Sequence, residues 1–267
     1  MLIFLLAMII TGVASGILAG LLGVGGGIVI VPVLDFMLRY FNLADQYSMH
    51  IAVATSLTCI VFTGLSSAYA HYRKGKVDVN LVLHWALPLV LGSILGVFVA
   101  TKISSLSLSI IFACIATLVG LKMLLGITVK TRWQKPPKGI VGASFPTAIG
   151  SLSAMMGIGG GTLSVPVLTM MNKTIHQAVA TSAVFGVIIS LPSAVSFIVA
   201  GWHQQNLPLG NLGYVNWIAV GAIIPLSMAC APLGAKLAHR LPKHILAKLF
   251  GVFLLLVSLK MVLKTLG

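Results

Sequence analysis

The chain has 267 residues, of which 58% are hydrophobic and 7% are charged. A soluble domain carries about 25% charged residues, so this composition excludes an ordinary water-soluble protein and indicates an integral membrane protein. The formal net charge of +14 would suggest a nucleic-acid partner for a soluble chain. In a membrane protein the placement of positive charge indicates topology first, and we expect no nucleic acid to bind.

Apolar runs of about 18 or more residues alternate with short polar loops, which favours a helical bundle over a membrane barrel. The N-terminus lacks the basic region of a secretory signal, so we expect no cleaved leader. The predicted segments of the first half lie near residues 2–22, 27–40, 50–71, 80–101 and 106–125. Those of the second half lie near residues 138–156, 161–172, 176–200, 213–236 and 243–264.

The two halves carry the same glycine-rich block. Residues 23–34 and 157–168 agree at eight of twelve positions, and Ala-Val-Ala-Thr-Ser occurs both at 52–56 and at 178–182. We therefore predict two copies of one unit. The units are a transmembrane repeat at 1–128, a basic linker at 129–138 and a second transmembrane repeat at 139–267.

Five segments in each repeat would place the second repeat upside down relative to the first. With five segments per repeat, ten cations in or near the loops lie on one face of the membrane and three on the other. If the first two segments of a repeat formed a single crossing, this difference in charge between the faces would be lost. The positive-inside rule makes the richer face cytoplasmic, so we favour inverted repeats with a cytoplasmic linker. The richer face holds Arg73, Lys74, Lys76, Lys130, Arg132, Lys135, Lys138, Lys173, Arg240 and Lys243, and the other holds Arg39, Lys102 and Lys264.

The second segment of each repeat is short. At 1.5 Å per residue, residues 27–40 span about 21 Å, less than the roughly 30 Å of the hydrocarbon core. We expect this segment to enter the membrane only partway, with a full crossing as the alternative. Short, glycine-interrupted segments at matching positions of inverted halves indicate the central binding site of a transporter.

The glycine turns present backbone N–H groups with no side chain in front of them, and each turn leads into the positive end of a helix. Such a place favours an anion, and nearby hydroxyls can donate to its oxygens. We expect one small oxyanion or carboxylate to bind between the two turns. Close helix packing by the glycines and back-bonding of the hydroxyls to their own helices are the alternatives. The predicted site residues are Gly25, Gly26, Gly27, Thr55, Ser56, Gly159, Gly160, Gly161, Thr181 and Ser182.

Three titratable residues are candidates for proton coupling. His50 and His176 each lie two residues before the Ala-Val-Ala-Thr-Ser block, and either could take up a proton; capping of the third segment is the alternative. Asp35 lies in the second segment, where an acid is a functional hypothesis by default. Arg39, one helical turn further on, offers a local ion pair instead.

The sequence contains no glutamate and no close Cys/His spacing, so we expect neither a metal site nor a cofactor. Cys59, Cys114 and Cys230 lie in apolar stretches and are predicted to be small buried side chains. Zinc-hydrolase, Gly-x-Ser-x-Gly and acid-dyad patterns are absent from the sequence, which disfavours an intramembrane enzyme.

The duplicated Gly-x-Gly-Gly-Gly-x-x-x-Val-Pro, with the following His-x-Ala-Val-Ala-Thr-Ser, resembles the TauE/SafE family of sulfite exporters, also called TSUP permeases. The resemblance covers nearly the whole chain and implies a protein that moves sulfite, sulfonates or other small anions across a bacterial or archaeal cytoplasmic membrane. It carries the site over to the glycines, threonines and serines given above, with Pro32 and Pro166. The family is often described with fewer spans than the ten segments counted here.

Together these observations predict a secondary carrier for a small oxyanion, with export by alternating access as the inverted halves rock around a shared central site. A passive anion channel of the same fold is the alternative, and an intramembrane enzyme is a more distant one. The expected partners are the anion and the lipid bilayer, and a homo-oligomer is left open.

Overall fold

The computed structural model describes residues 2–22, 25–73, 77–125, 139–240 and 243–266. Over these residues the chain forms ten α-helices, one 3-10 turn and a two-stranded β-hairpin. The helices of the first half are α1 (Leu2–Leu22), α2 (Gly27–Tyr40), α3 (Ser48–Arg73), α4 (Val79–Lys102) and α5 (Ser105–Leu124). Those of the second half are α6 (Gly139–Met156), α7 (Gly161–Met170), α8 (Ile175–Gly201), α9 (Trp217–Arg240) and α10 (Lys243–Leu266).

Six helices in the described part of the chain, namely α1, α3, α4, α5, α8 and α9, are long and apolar enough to cross a membrane. The outer face of α4 is too apolar to face water. Leu83, Leu87, Leu91 and Leu95 follow one another at one-turn spacing and are 51–70% exposed. A continuous apolar stripe of this kind belongs in lipid. The prediction of an all-α polytopic membrane protein is confirmed.

The helices α5 and α10 hold the same place in the two halves and run antiparallel. Thr117 of α5 donates a hydrogen bond to Ser258 of α10 across 2.9 Å, whereas Gly120, further along α5, packs against Gly251, further back along α10. Equivalent helices that run in opposite directions are the mark of an inverted repeat. The linker predicted at 129–138 lies outside the described residues.

The fourth helix of each half packs against the other half. The most extensive helix contacts in the described structure join α1 to α9 and α4 to α6, and α4 and α9 also contact α8 and α3. The contacts run through small residues: a Cβ on Gly16 would overlap the backbone of Ser227, and one on Gly96 the backbone of Ser151. Backbones can approach this closely only where side chains are small. Thus α4 lies among helices of the second half, and α9 among those of the first.

The short helices α2 and α7 begin at the glycine turns. Gly26 and Gly160, the residues before them, have left-handed φ values of 72° and 78°. This conformation costs other residues about 1–2 kcal/mol. The glycines let the chain leave α1 and α6 and start a new helix in another direction. Helices α3 and α8 pack on α2 and α7 and on each other, so the turns lie in the interior.

One predicted boundary was wrong. The segment predicted at 213–236 begins at Trp217, because Asn211–Leu212 and Val215–Asn216 pair as an antiparallel hairpin. Gly213 in its turn has φ 55°, and a Cβ there would overlap the carbonyl oxygen of Ile198. The apolar run concealed this turn.

The prediction that all three cysteines are buried was wrong for Cys114. Cys59 is buried and Cys230 is half-buried, but Cys114 is exposed on α5. An outward face of a membrane helix can be as apolar as the interior. An apolar stretch around a cysteine therefore does not decide which way its side chain faces.

Candidate functional site

The two glycine turns meet in the interior of the bundle. A Cβ on Gly27 would overlap the carbonyl oxygen of Gly157. Ser56 of α3 donates a hydrogen bond to that same oxygen across 2.7 Å, and its side chain is fully buried. A helix of the first half is therefore bonded directly to the turn of the second half.

The side chain of Ile60 lies between the two turns. A Cβ on Gly25 would lie 3.2 Å from Cγ2 of Ile60, and a Cβ on Gly159 would lie 2.7 Å from the same atom. Ile60 is 1% exposed. The bare backbones of both turns thus face one methyl group, and an apolar side chain fills the space between them.

Thr55 of α3 and Thr181 of α8 have matching roles, because each contacts the start of the fourth helix of the other half. Thr55 accepts a hydrogen bond from the backbone N–H of Asn216 at 3.0 Å, and Thr181 accepts one from the backbone N–H of Asp78 at 3.1 Å. Side-chain oxygens of Asn216 and Asp78 in turn accept from first-turn amides of α9 and α4. Each threonine therefore anchors a fourth helix, and its hydroxyl proton is left available to a further acceptor.

Ser182 follows the alternative considered from the sequence. Its hydroxyl donates to the carbonyl oxygen of Val179, 3.0 Å away on the same helix. The two serines of the repeated block thus differ, since Ser56 bonds the opposite turn and Ser182 bonds its own helix. Of the four predicted hydroxyls, Ser56 is the one that bonds to a glycine turn among the described residues.

Four further hydroxyls surround the second turn, and none of them has a hydrogen-bond partner in the described structure. A Cβ on Gly159 would lie 3.2 Å from Oγ of Ser190, and a Cβ on Gly160 would lie within 3.8 Å of Oγ of Ser153 and Ser164. A buried hydroxyl left unpaired costs about 1–3 kcal/mol. These groups therefore indicate a site that can bind a ligand. The unpartnered residues are Ser153, Thr162, Ser164 and Ser190.

Sequence reasoning missed these four residues, because hydroxyls in apolar helices commonly bond to their own backbone. One signal was available. Within the repeated block, Thr162 and Ser164 stand where the first half has Ile28 and Ile30. A polar replacement at a buried position of an otherwise repeated block marks a difference between the two turns.

The surroundings of both turns are electrically neutral but favour negative charge. The atoms nearest to their glycines belong to backbone and to serine, isoleucine and valine side chains. The first amides of α2 and α7 have no intrahelical acceptor, and the helix macrodipoles place partial positive charge there. An anion can be bound at such a place without a buried cation.

The two histidines lie apart from the turns, and the interpretation that they cap the third segments was wrong. His50 is buried, and its Nε2 lies 2.9 Å from the carbonyl oxygen of Ala100 on α4. Its ring packs on the ring of Tyr214 at 5.4 Å. His176 is exposed. The cap of α8 is a capping box formed by Thr174 with Gln177.

Asp35 forms the local ion pair that its spacing from Arg39 suggested. The guanidinium Nε donates to both carboxylate oxygens, at 3.0 and 3.2 Å, and its Nη2 donates to the hydroxyls of Ser105 and Ser109 of α5. Asp35 lies eight residues beyond Gly27, about 12 Å along α2. It is therefore not part of the glycine site.

The family model described as "Sulfite exporter TauE/SafE" matches residues 8–261. The chain belongs to this family. A probable membrane transporter protein of Haemophilus influenzae is 36% identical over 98% of this TauE/SafE chain and 99% of its own. Probable membrane transporter proteins of Bacillus subtilis and Methanocaldococcus jannaschii are each 28% identical, over 96% and 94% of both chains. No solved structure matches this chain.

This TauE/SafE protein is therefore an integral membrane transporter. Its composition, its six long apolar helices and the names of its relatives agree on this point. The names indicate transporters rather than enzymes. In the described residues no group of three His, Cys, Asp or Glu side chains is placed to hold a metal ion.

Proposed function

We propose that this protein is a secondary carrier for small sulfur-containing anions, such as sulfite or a sulfonate, or for related oxyanions and carboxylates. The binding site is the place where the two glycine turns meet. The observation that carries the proposal is the contact between Ser56 and the Gly157 carbonyl oxygen. It brings the starts of α2 and α7, with their free amides and partial positive charge, to one interior location. The sulfite named in the family description supports a sulfur oxyanion.

Alternating access fits this site better than a permanent pore. Ile60 fills the space between the turns, and Ser56 bonds across it, so an anion can pass only after these contacts rearrange. The short helices support a carrier as well. With 14 and 10 residues, α2 and α7 span about 21 and 15 Å, so each enters the membrane only partway.

The proposed orientation places the basic loops and the linker in the cytoplasm, with export as the direction of transport. The ten-to-three distribution of cations supports it. We place the protein in the cytoplasmic membrane of a bacterium or archaeon, as its relatives suggest. The proposed site uses residues from both halves of one chain, and a homo-oligomer stays a prediction.

Proton coupling, if the carrier uses it, would rely on His50 rather than on Asp35 or His176. Nδ1 of His50 is buried and has no hydrogen-bond partner in the described structure. Asp35 is already held by Arg39, and His176 is exposed on α8. His50 lies six residues before Ser56, about 9 Å along the same helix, so a proton there can influence the site only through movement of α3.

Counterflow in proteoliposomes tests the proposal. Vesicles loaded with unlabelled sulfite and diluted into labelled sulfite, without oxygen, should accumulate label transiently above equilibrium. A passive channel would give equilibration with no stimulation by internal sulfite.

The variants Gly26→Val and Gly160→Val should insert into the membrane but show no uptake. Wild-type uptake in both variants would remove the glycine turns from the site, and a lack of exchange of any small sulfur anion by the native protein would overturn the proposed function.

A further inference from the structure

The two glycine turns differ in chemistry although their backbones repeat. We call Ser153, Thr162, Ser164 and Ser190 the hydroxyl cluster. All four residues are at most 8% exposed and without a hydrogen-bond partner in the described structure. The corresponding residues of the first half are Ala19, Ile28, Ile30 and Gly64, none of which carries a side-chain donor.

The two turns also differ in the space around them. Ile60 presses on both turns, but its counterpart on α8 is Gly186. A Cβ on Gly186 would lie 2.7 Å from the carbonyl oxygen of Gly159, so α8 contributes no side chain at this point. At this position the first half therefore supplies the apolar side chain of Ile60, whereas the second half supplies no side chain.

The unpaired state of the hydroxyl cluster contrasts with that of other buried hydroxyls among the described residues. Other buried hydroxyls of α3 and α8 each donate to a carbonyl oxygen one turn back, at 2.7–3.0 Å; they belong to Thr58, Thr63 and Ser193. Ser193 lies only three residues beyond Ser190 on α8. A hydroxyl that could back-bond and does not is available to a ligand.

We infer that the hydroxyl cluster binds the substrate, and we call this one-sided site the seat. The ligand binds at the second-half turn, and the first-half turn covers it together with Ile60. This inference rests on the proposed function and assigns its site to one side. The first amides of α7 and the hydroxyls of Ser153, Ser164 and Ser190 are donors that lie beside the second-half turn. Neutral donors bind an anion without the desolvation cost of a buried cation.

The arrangement of the donors favours a particular class of anion. A sulfite or sulfonate group has three oxygens that can accept hydrogen bonds, whereas a carboxylate has two. The two carboxylate oxygens lie in one plane, whereas the three sulfonate oxygens form a pyramid. Ser153, Ser164 and Ser190 come from three different helices, α6, α7 and α8, so a pyramid of oxygens can meet donors from three directions better than a planar pair can. The seat should therefore bind methanesulfonate more tightly than acetate, which has a similar size and the same charge.

Calorimetric titration of the purified, detergent-solubilised protein tests the inference. The probes are sulfite, methanesulfonate and acetate as choline salts, with sodium chloride as a separate titrant. The variants are Ser164→Ala, Ser190→Ala and, to keep more of the volume, Ser190→Cys. Loss of one hydrogen bond to an anion should weaken binding about 10-fold to 100-fold. Ser193→Ala is the matched control and should bind within about twofold of the native protein.

Thermal unfolding without ligand separates binding from structural roles. Because the cluster is unpaired in the empty site, Ser164→Ala and Ser190→Ala should unfold at the native temperature or above it, while losing affinity. Several results would overturn the inference: native affinity in both variants, equal affinity for methanesulfonate and acetate, no binding of any probe, or binding of sodium alone. If the same variants show counterflow of sulfite at native rates, the protein is still a sulfite carrier. Only the inference of a one-sided seat is then rejected.

Discussion

Ser56 and Gly157 join the two halves of the molecule at its centre, through a 2.7 Å hydrogen bond from the serine hydroxyl to the glycine carbonyl oxygen. The serine comes from the block Ala-Val-Ala-Thr-Ser of the first half, and the glycine opens the repeated turn of the second half. Two motifs that sequence comparison within the chain singled out separately are thus in direct contact.

Removing this bond should destabilise the protein and slow transport. Ser56→Ala leaves a buried carbonyl oxygen without its donor, which should lower the free energy of unfolding by about 1–3 kcal/mol. Thr58→Val is the matched control on the same helix, because its hydroxyl only back-bonds to Ala54. Thermal unfolding in detergent and sulfite uptake measure the two effects. Equal losses in both variants would show that the bond between the halves has no special role.

A single methyl group on Gly27 should abolish transport. The added Cβ would overlap the carbonyl oxygen of Gly157, and rigid backbone cannot move aside as a flexible side chain can. Gly221→Ala on α9 is the control, since its Cβ would meet nothing within 4 Å in the described structure. We expect uptake in the control and none in Gly27→Ala at equal membrane expression. Full activity of Gly27→Ala would mean that the turns are further apart in the working protein.

Shortening Ile60 should widen the site at the expense of stability. Ile60→Ala removes the side chain that separates the turns and should cost about 2–5 kcal/mol. We expect uptake of a larger sulfonate to rise relative to that of sulfite. Ile51→Ala, also fully buried on α3, should lose similar stability without a change in this ratio. An unchanged ratio in Ile60→Ala would place the substrate elsewhere.

His50→Gln should flatten the pH dependence of sulfite uptake if this residue takes up the coupled proton. Tyr47 and Tyr214 are the titratable residues that face its ring, at 6.2 and 5.4 Å. His176→Gln is the control, because His176 is exposed and should leave the profile as it is. Identical profiles for the native protein and His50→Gln would eliminate coupling through His50.

Asp78 should make the protein sensitive to acid. Burial alone would raise the pKa of Asp78, but the hydrogen bond from Lys173, the Leu81 amide and the Lys173 charge outweigh it and lower the pKa. A carboxyl whose pKa is lowered by folding stabilises the fold above its unfolded value of about 4 and loses that contribution as the pH falls through the folded value. The unfolding temperature should therefore drop less on acidification in Asp78→Asn than in the native protein. Asp45→Asn, which removes an acid with no ion pair among the described residues, should behave like the native protein.

Local signals in the sequence predicted most of the fold. The second segment, predicted at 27–40, is α2 without any shift, because the glycines that start it and the apolar run that follows are properties of neighbouring residues. The inverted order follows from the repeat and the charge distribution. The hairpin before Trp217 escaped detection because its turn lies inside an otherwise apolar stretch.

What the sequence could not predict depends on contacts between distant residues. The predicted roles of Thr55 and Thr181 assumed that their hydroxyls face the turns, but each meets the N–H group at the start of a fourth helix. Capping by His50 was predicted from its position next to the helix start alone, but its ring instead contacts the carbonyl oxygen of Ala100 on α4. The unpaired state of Ser190 becomes visible only when every neighbour is in place.

The exchange of α4 and α9 constrains how this transporter can move. The sequence repeats are interlaced rather than placed side by side, so neither can swing as a unit over the other. The chain passes from the helices of one half to those of the other at both ends of α4 and of α9. These crossings act as tethers, and glycines bring the backbones of α1 and α9 and of α4 and α6 close together. We therefore expect a short shear along these contacts rather than a wide hinge opening.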